Sequence, residues 1–214
     1  FSHVNGDVGL LKKFFESPEY KKADKGICLG NIVGLGCTPD SQDTIKLVRE
    51  HTDLALVGKS DTKYLAEGQL SKENTFDGMF RGMYSENIDF LICAATTVVS
   101  ERTGFLFTSS RLDESSKCDR RVLSYNEALK EFNYVLRNFP RIRFAFSGYS
   151  EEPSVFDYNS GKVIGLNKNQ RLFLNNKGPY LISTGHLSRI ERKGTYAIFE
   201  PTTSSLEIKS NSQS

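Results

Sequence analysis

The 214-residue chain has no tryptophan, two methionines, three histidines and four cysteines. Cys28, Cys37, Cys93 and Cys118 fall singly, with no Cys-x-x-Cys pair, so the spacing suggests neither a zinc ribbon nor a dense disulfide framework. No stretch reaches the ~18 apolar residues of a membrane span, and the first residues lack the basic-then-apolar pattern of a leader peptide. Neither sign of charge dominates: 28 Lys and Arg face 26 Asp and Glu, a net charge of +2. The longest basic clusters are pairs, such as Lys12-Lys13 and Arg120-Arg121, which sets nucleic acid aside as a partner. These absences predict a soluble cytoplasmic protein with no membrane partner. The length predicts a single domain over 1–209 with a disordered polar tail at 210–214. The chain opens on Phe1 rather than Met, so residues upstream are expected.

What is present is a change of texture midway. Val8, Leu11 and Phe15 have helical spacing, with Asp7 as N-cap, and predict a helix over 8–16. Gly26–Leu29 reads as a strand running into a glycine-rich loop, and Thr38-Pro39 as the start of a helix with Ile45 and Val48 inward. Asp53–Val57 is the next strand. Helical spacing continues at Phe76, Met79, Phe80 and Met83, and Ser85 is read as the cap of a segment from Glu86 to Leu91. Cys93–Val99 and Gly104–Phe107 then read as a hairpin. Ser124 and Glu127 form a capping box for a helix whose stripe is Leu129, Phe132 and Leu136. Seven short strands follow, starting near Arg143, Ser154, Lys162, Arg171, Tyr180, Thr195 and Ser205.

Five loops at predicted strand ends carry the chemical information: Phe-Ser-His-Val-Asn-Gly at 1–6, Leu-Gly-Asn-Ile-Val-Gly-Leu-Gly at 29–36, Val-Gly-Lys-Ser-Asp at 57–61, Phe-Thr-Ser-Ser at 107–110 and Gly-Tyr-Ser-Glu-Glu-Pro at 148–153. In order and spacing they resemble the loops of small calcineurin-like metallophosphoesterases, and Tyr180–His186 and Gly194–Ile198 resemble that family's closing strands. The resemblance implies an α/β fold, a four-layer α/β/β/α sandwich of two mixed β-sheets flanked by helices, with the active site where the five loops converge. It also implies that the first strand begins before Phe1.

The same resemblance implies a dismantled catalytic centre. The family holds two divalent ions, such as Mn, Fe or Zn, about 3.5 to 4 Å apart on carboxylates, an amide oxygen and imidazoles. Here His3 stands for the first-loop aspartate and Asn5 for its histidine, while Asn31 replaces the bridging aspartate. Lys59 replaces the ligand asparagine and Ser60 the neighbouring histidine. Thr108, Tyr149 and Glu151 occupy the remaining histidine positions. An ammonium at Lys59 would repel a divalent ion. No metal cofactor and no catalytic residue are therefore expected. Lys59 has Glu151 and Asp61 as candidate partners and is expected either to pair internally, with Glu151 as the sharper expectation, or to extend into water. His3, Asn5, Lys59, Thr108, Ser109 and Tyr149 are candidates to hold a small anion, the alternative being hydrogen bonds among themselves. The resulting expectation is an inactive phosphoesterase-fold protein acting as a binding or regulatory module, with an unknown protein or a small anionic ligand as partner. The alternatives are a metal-dependent phosphoesterase with an altered site and a purely structural subunit.

Overall fold

The computed structural model describes residues 1–34, 39–70, 85–112, 125–148, 152–166, 169–175, 178–188 and 194–210. The chain divides into two compact units, one of His3–Thr96 and the other of Phe1–Ser2 with Thr97–Ser214.

In the unit His3–Thr96, α1 (Val8–Glu16) begins where the Asp7 carboxylate accepts the Leu10 amide at 2.8 Å. Capping of this kind satisfies an amide that the helix itself cannot. The helix buries Leu10, Leu11, Phe14 and Phe15. Ser17 ends it and caps the short α2 (Pro18–Lys22), accepting the Tyr20 amide. The parallel strands β1 (Ile27–Cys28) and β2 (Leu54–Ala55) pair through Ile27 with Leu54 and Cys28 with Ala55. Between them runs α3 (Pro39–His51), whose Ile45 and Val48 are fully buried. Two further helices follow, α4 (Lys59–Leu70) and α5 (Ser85–Cys93). A buried polar chain crosses α3, α4 and α5: Gln42 Nε2 donates to the Tyr64 hydroxyl at 2.6 Å and Asn87 Nδ2 to Gln42 Oε1 at 2.9 Å.

In the second unit, six strands form a mixed sheet in the order β3-β4-β5-β9-β6-β7. They are β3 (Thr97–Ser100), β4 (Phe105–Thr108), β5 (Phe144–Ser147), β6 (Ser154–Asp157), β7 (Lys162–Gly165) and β9 (Tyr180–Ser183). Strands β4, β5 and β9 are mutually parallel. The expected hairpin is present as β3 and β4, antiparallel from Thr97–Thr108 to Ser100–Phe105. Alternation along the strands gives the sheet two apolar faces. One carries Leu106, Ala145, Phe156 and Leu181, packed against Ala128, Phe132 and Val135 of α6 (Tyr125–Asn138). The other carries Phe105, Phe107, Phe144, Phe146 and Tyr180, stacked across strands. A three-stranded antiparallel sheet, β10 (Thr195–Glu200), β11 (Ser205–Ser210) and β8 (Arg171–Phe173), meets this aromatic face through Phe199. The Phe199 ring lies 4.9 Å from that of Phe144 and 5.4 Å from that of Phe146.

The mixed α/β architecture, with a large mixed sheet and flanking helices, is the one expected. Four local readings need correction. The segment after Val57 enters a helix at Lys59, where only a loop was expected. Cys93 ends α5, and the strand begins later, at Thr97. Ser85 is the first residue of α5 rather than its cap. The buried stripe of α6 is Ala128, Glu131, Phe132 and Val135, with Leu129 and Leu136 half-buried at its margin. Thr38, Phe76–Met83, Ser124 and the tail beyond Ser210 lie outside the described residues. Among the described residues, no helix is long and apolar enough to cross a membrane.

Candidate functional site

Three of the five loops come together in the unit His3–Thr96. The first lies along the second through backbone hydrogen bonds: the His3 amide donates to the Gly30 carbonyl at 3.0 Å, Asn5 to Asn31 at 3.2 Å and Gly6 to Ile32 at 3.0 Å. His3, Asn5 and Asn31 all have left-handed backbones, with φ of 54°, 54° and 55°. Asn and His are among the side chains that tolerate this region best. The loops approach too closely for most side chains at two further points. A Cβ on Gly34 would lie 2.6 Å from the Asn5 carbonyl oxygen, and a Cβ on Gly58 would collide with the Asn31 side chain and backbone.

Asn31 links all three loops. Its Nδ2 lies 2.7 Å from His3 Nε2, and its Oδ1 accepts the Ser60 amide at 3.2 Å and the Ser60 hydroxyl at 3.1 Å. Two donors fix the oxygen on the Ser60 side, and the amide nitrogen has only protons to offer. His3 Nε2 therefore accepts, leaving the ring proton on Nδ1. The Ser60 amide belongs to the first turn of α4, whose free N–H groups would otherwise seek an anion or a cap. Asn31 supplies that cap from another loop.

The next carboxylate is turned inward. Asp61 is fully buried and accepts the Val33 amide at 2.9 Å and the Gly58 amide at 2.8 Å. The bond to Gly58 is the return half of a capping box, the third helical residue reaching back to the residue before the helix. Burial pushes the carboxyl up to about 6, and the backbone amides of Gly58, Val33, Ile32 and Asn31 oppose that rise. Lys59, by contrast, is exposed. Cys28 is no nucleophile, since burial pushes its thiol up to about 12.

The fourth loop belongs to the other unit. Thr108 is buried at the end of β4, where its hydroxyl donates to the Ser110 carbonyl at 2.7 Å and bonds the Thr97 hydroxyl at 3.0 Å. Ser109 is buried beside it. The loop is tied to α6 by Glu131, which accepts Arg111 Nε at 2.8 Å and the Leu112 amide at 2.7 Å.

Sequence reasoning missed one feature. Thr97, Thr108, Ser147, Ser183 and Ser154 lie in register on five adjacent strands, a row of hydroxyl side chains at the carboxyl ends of β4, β5 and β9. Among the described residues, Ser147 Oγ in this row is buried without a hydrogen-bond partner. The signal was a Ser or Thr at the last position of β4, β5 and β9 and at the first position of β3 and β6, but the row appears only once the strand order is known. Tyr149 and Glu151, and with them the expected Lys59–Glu151 pair, lie outside the described residues.

Among the described residues, no three His, Cys, Asp or Glu side chains form a group able to hold a metal ion. The chemistry of the three joined loops points the same way. Their donors are an imidazole whose Nε2 accepts from Asn31, amides, a hydroxyl and an exposed ammonium. The Asp61 carboxylate is spent on backbone amides. This set does not fit two divalent ions, which need several inward-facing anionic oxygens.

No family model and no curated protein matches the chain by sequence. Solved structures do match by shape. A metallophosphoesterase from Sphaerobacter thermophilus is 17% identical with a TM-score of 0.74, the match covering 98% of this chain and 86% of that one. A hypothetical protein from Pyrococcus horikoshii is 14% identical with a TM-score of 0.62, covering 98% and 85%. These identities speak for the fold and not for the activity. With the mixed sheet, the loop order and these matches together, the chain has the fold of the calcineurin-like metallophosphoesterases.

Proposed function

We propose that this chain is a non-catalytic member of the phosphoesterase fold, a binding or regulatory module that works without a two-metal centre. One observation carries the reading. Where the fold family places a bridging aspartate, Asn31 has its donor committed to His3 and its acceptor to Ser60. A neutral amide at that position lacks the charge that draws two cations together, and Lys59 adds an ammonium to the same loop cluster. Without the metals, the fold family's way of lowering the pKa of an attacking water is lost. Lys59, exposed at the head of α4, makes a small anion a candidate ligand beside a protein partner.

The test is metal content and turnover. Protein purified in the presence of Mn²⁺ is expected to retain no stoichiometric metal after desalting and to hydrolyse bis(p-nitrophenyl) phosphate no faster than buffer. Metal-dependent turnover that tracks the protein through purification and is lost in Glu151→Ala would replace this reading with that of a phosphoesterase using an altered site.

A further inference from the structure

In the fold family, metal ions and a bridging carboxylate join these loops. Here an amide spans the same three loops, and unlike a carboxylate it donates to one of them while accepting from another. A carboxylate offers acceptors only, so it could take the Ser60 amide and hydroxyl but would require His3 to carry its proton on Nε2 and donate it. The Asn31 amide offers one acceptor and one donor pointing in different directions, and each meets its complement. Its placement is set by two backbone conditions. The left-handed φ of 55° at Asn31 aims the side chain, and the absence of a Cβ on Gly58 leaves the space it fills. Asp61 reinforces the arrangement from below, joining Val33 of the second loop to Gly58 of the third.

We propose that the Asn31 side chain is a clasp that takes the place of the bridging metals, holding the first, second and third loops together with no divalent ion. The clasp concerns what holds the loops. It rests on the reading above only in excluding a bridging metal, and the two fail separately.

Nitrogen-15 NMR of the full chain tests it, helped by there being only three histidines to assign. The neutral His3 ring is expected to carry its proton on Nδ1, with Nε2 in the acceptor state, and neither resonance should move when Zn²⁺ is added. In Asn31→Ala the Ser60 amide should exchange with solvent about tenfold faster, as befits one lost hydrogen bond. In Asn31→Asp that amide should stay protected while the His3 preference inverts, the ring now carrying a proton on Nε2 and donating it to the carboxylate. A His3 ring protonated on Nε2 in the unmodified chain, a stoichiometric Zn²⁺-induced shift at Nε2, or unchanged Ser60 exchange in Asn31→Ala would overturn the clasp. Should Asn31→Ala not fold, the tautomer of the unmodified chain and the Asn31→Asp comparison still decide. Phosphodiester turnover with the clasp intact would overturn only the functional reading.

Discussion

Glu131 and Arg111 form a buried ion pair, Oε1 to Nε at 2.8 Å, with 1% and 10% of their side chains exposed. It joins α6 to the loop that follows β4. Removing one partner of such a pair leaves a charge stranded away from water, so Glu131→Ala should cost about 3–5 kcal/mol. Replacing both, as Arg111→Met with Glu131→Leu, should recover most of that loss. Urea denaturation midpoints of the two single variants and the double variant check the cycle.

Asp61 gives stability a pH dependence of unusual sign. Its folded carboxyl lies at about 6, against an ordinary value of 3.8. A raised carboxyl means the folded chain binds the proton more tightly than the unfolded one. Its contribution is thus fully present below the unfolded value and is lost as pH rises through about 6. The shift corresponds to roughly 3 kcal/mol between pH 3.5 and pH 7.5. Denaturant unfolding across that range, compared with Asp61→Asn, isolates the contribution: the stability of the unmodified chain relative to the variant should rise steadily as pH falls through about 6, and a pH-independent difference would show that Asp61 does not titrate in this window.

The hydroxyl row predicts opposite outcomes at neighbouring strands. Ser147 Oγ is buried with no partner among the described residues, so Ser147→Ala removes a desolvated group and should be neutral or stabilising by up to about 1 kcal/mol. Thr108 Oγ1 bonds both the Ser110 carbonyl and the Thr97 hydroxyl. Thr108→Val leaves both without it and should cost about 1–3 kcal/mol. Thermal melts of the two variants side by side would show the contrast, and equal losses would argue against it.

Phe199 is the contact through which β10 meets the aromatic face, with rings of Phe105, Phe144 and Phe146 within 5.8 Å of its own, centroid to centroid. Phe199→Ala should cost roughly 2–4 kcal/mol. Phe199→Leu, which keeps bulk but not the edge-on ring geometry, should lose less than half of that by the same denaturation assay.

The parts of the fold set by local pattern were legible in the sequence. Asp7 capped its helix as read, and the strands at Tyr180–Ser183 and Ser205–Ser210 fell where β-rich runs met turn residues. Patterns that tertiary structure alone makes sense of were not. In α4 the inward positions include Asp61 and Tyr64, so no apolar stripe announces a helix. In α6 a buried Glu131 sits mid-stripe and hides the true face from hydrophobic periodicity. At the loops, the sequence singled out Asn31 and Lys59 by their residue types. That the Asn31 amide would turn on its own neighbours was not legible, because it depends on a left-handed backbone and a glycine 27 positions further along.

The order of the six-stranded sheet has a consequence for how the protein is made. β5 and β6 lie close in sequence, yet they are joined only through β9, which pairs with β5 on one side and β6 on the other. Until Tyr180–Ser183 has left the ribosome, the sheet exists as two fragments, each with an open edge. One of those edges carries the Phe-Ala-Phe-Ser strand. Unpaired edges of this composition invite pairing with other chains. β9 is therefore the keystone of this half of the molecule, and a nascent chain halted before it is the form most in need of a chaperone.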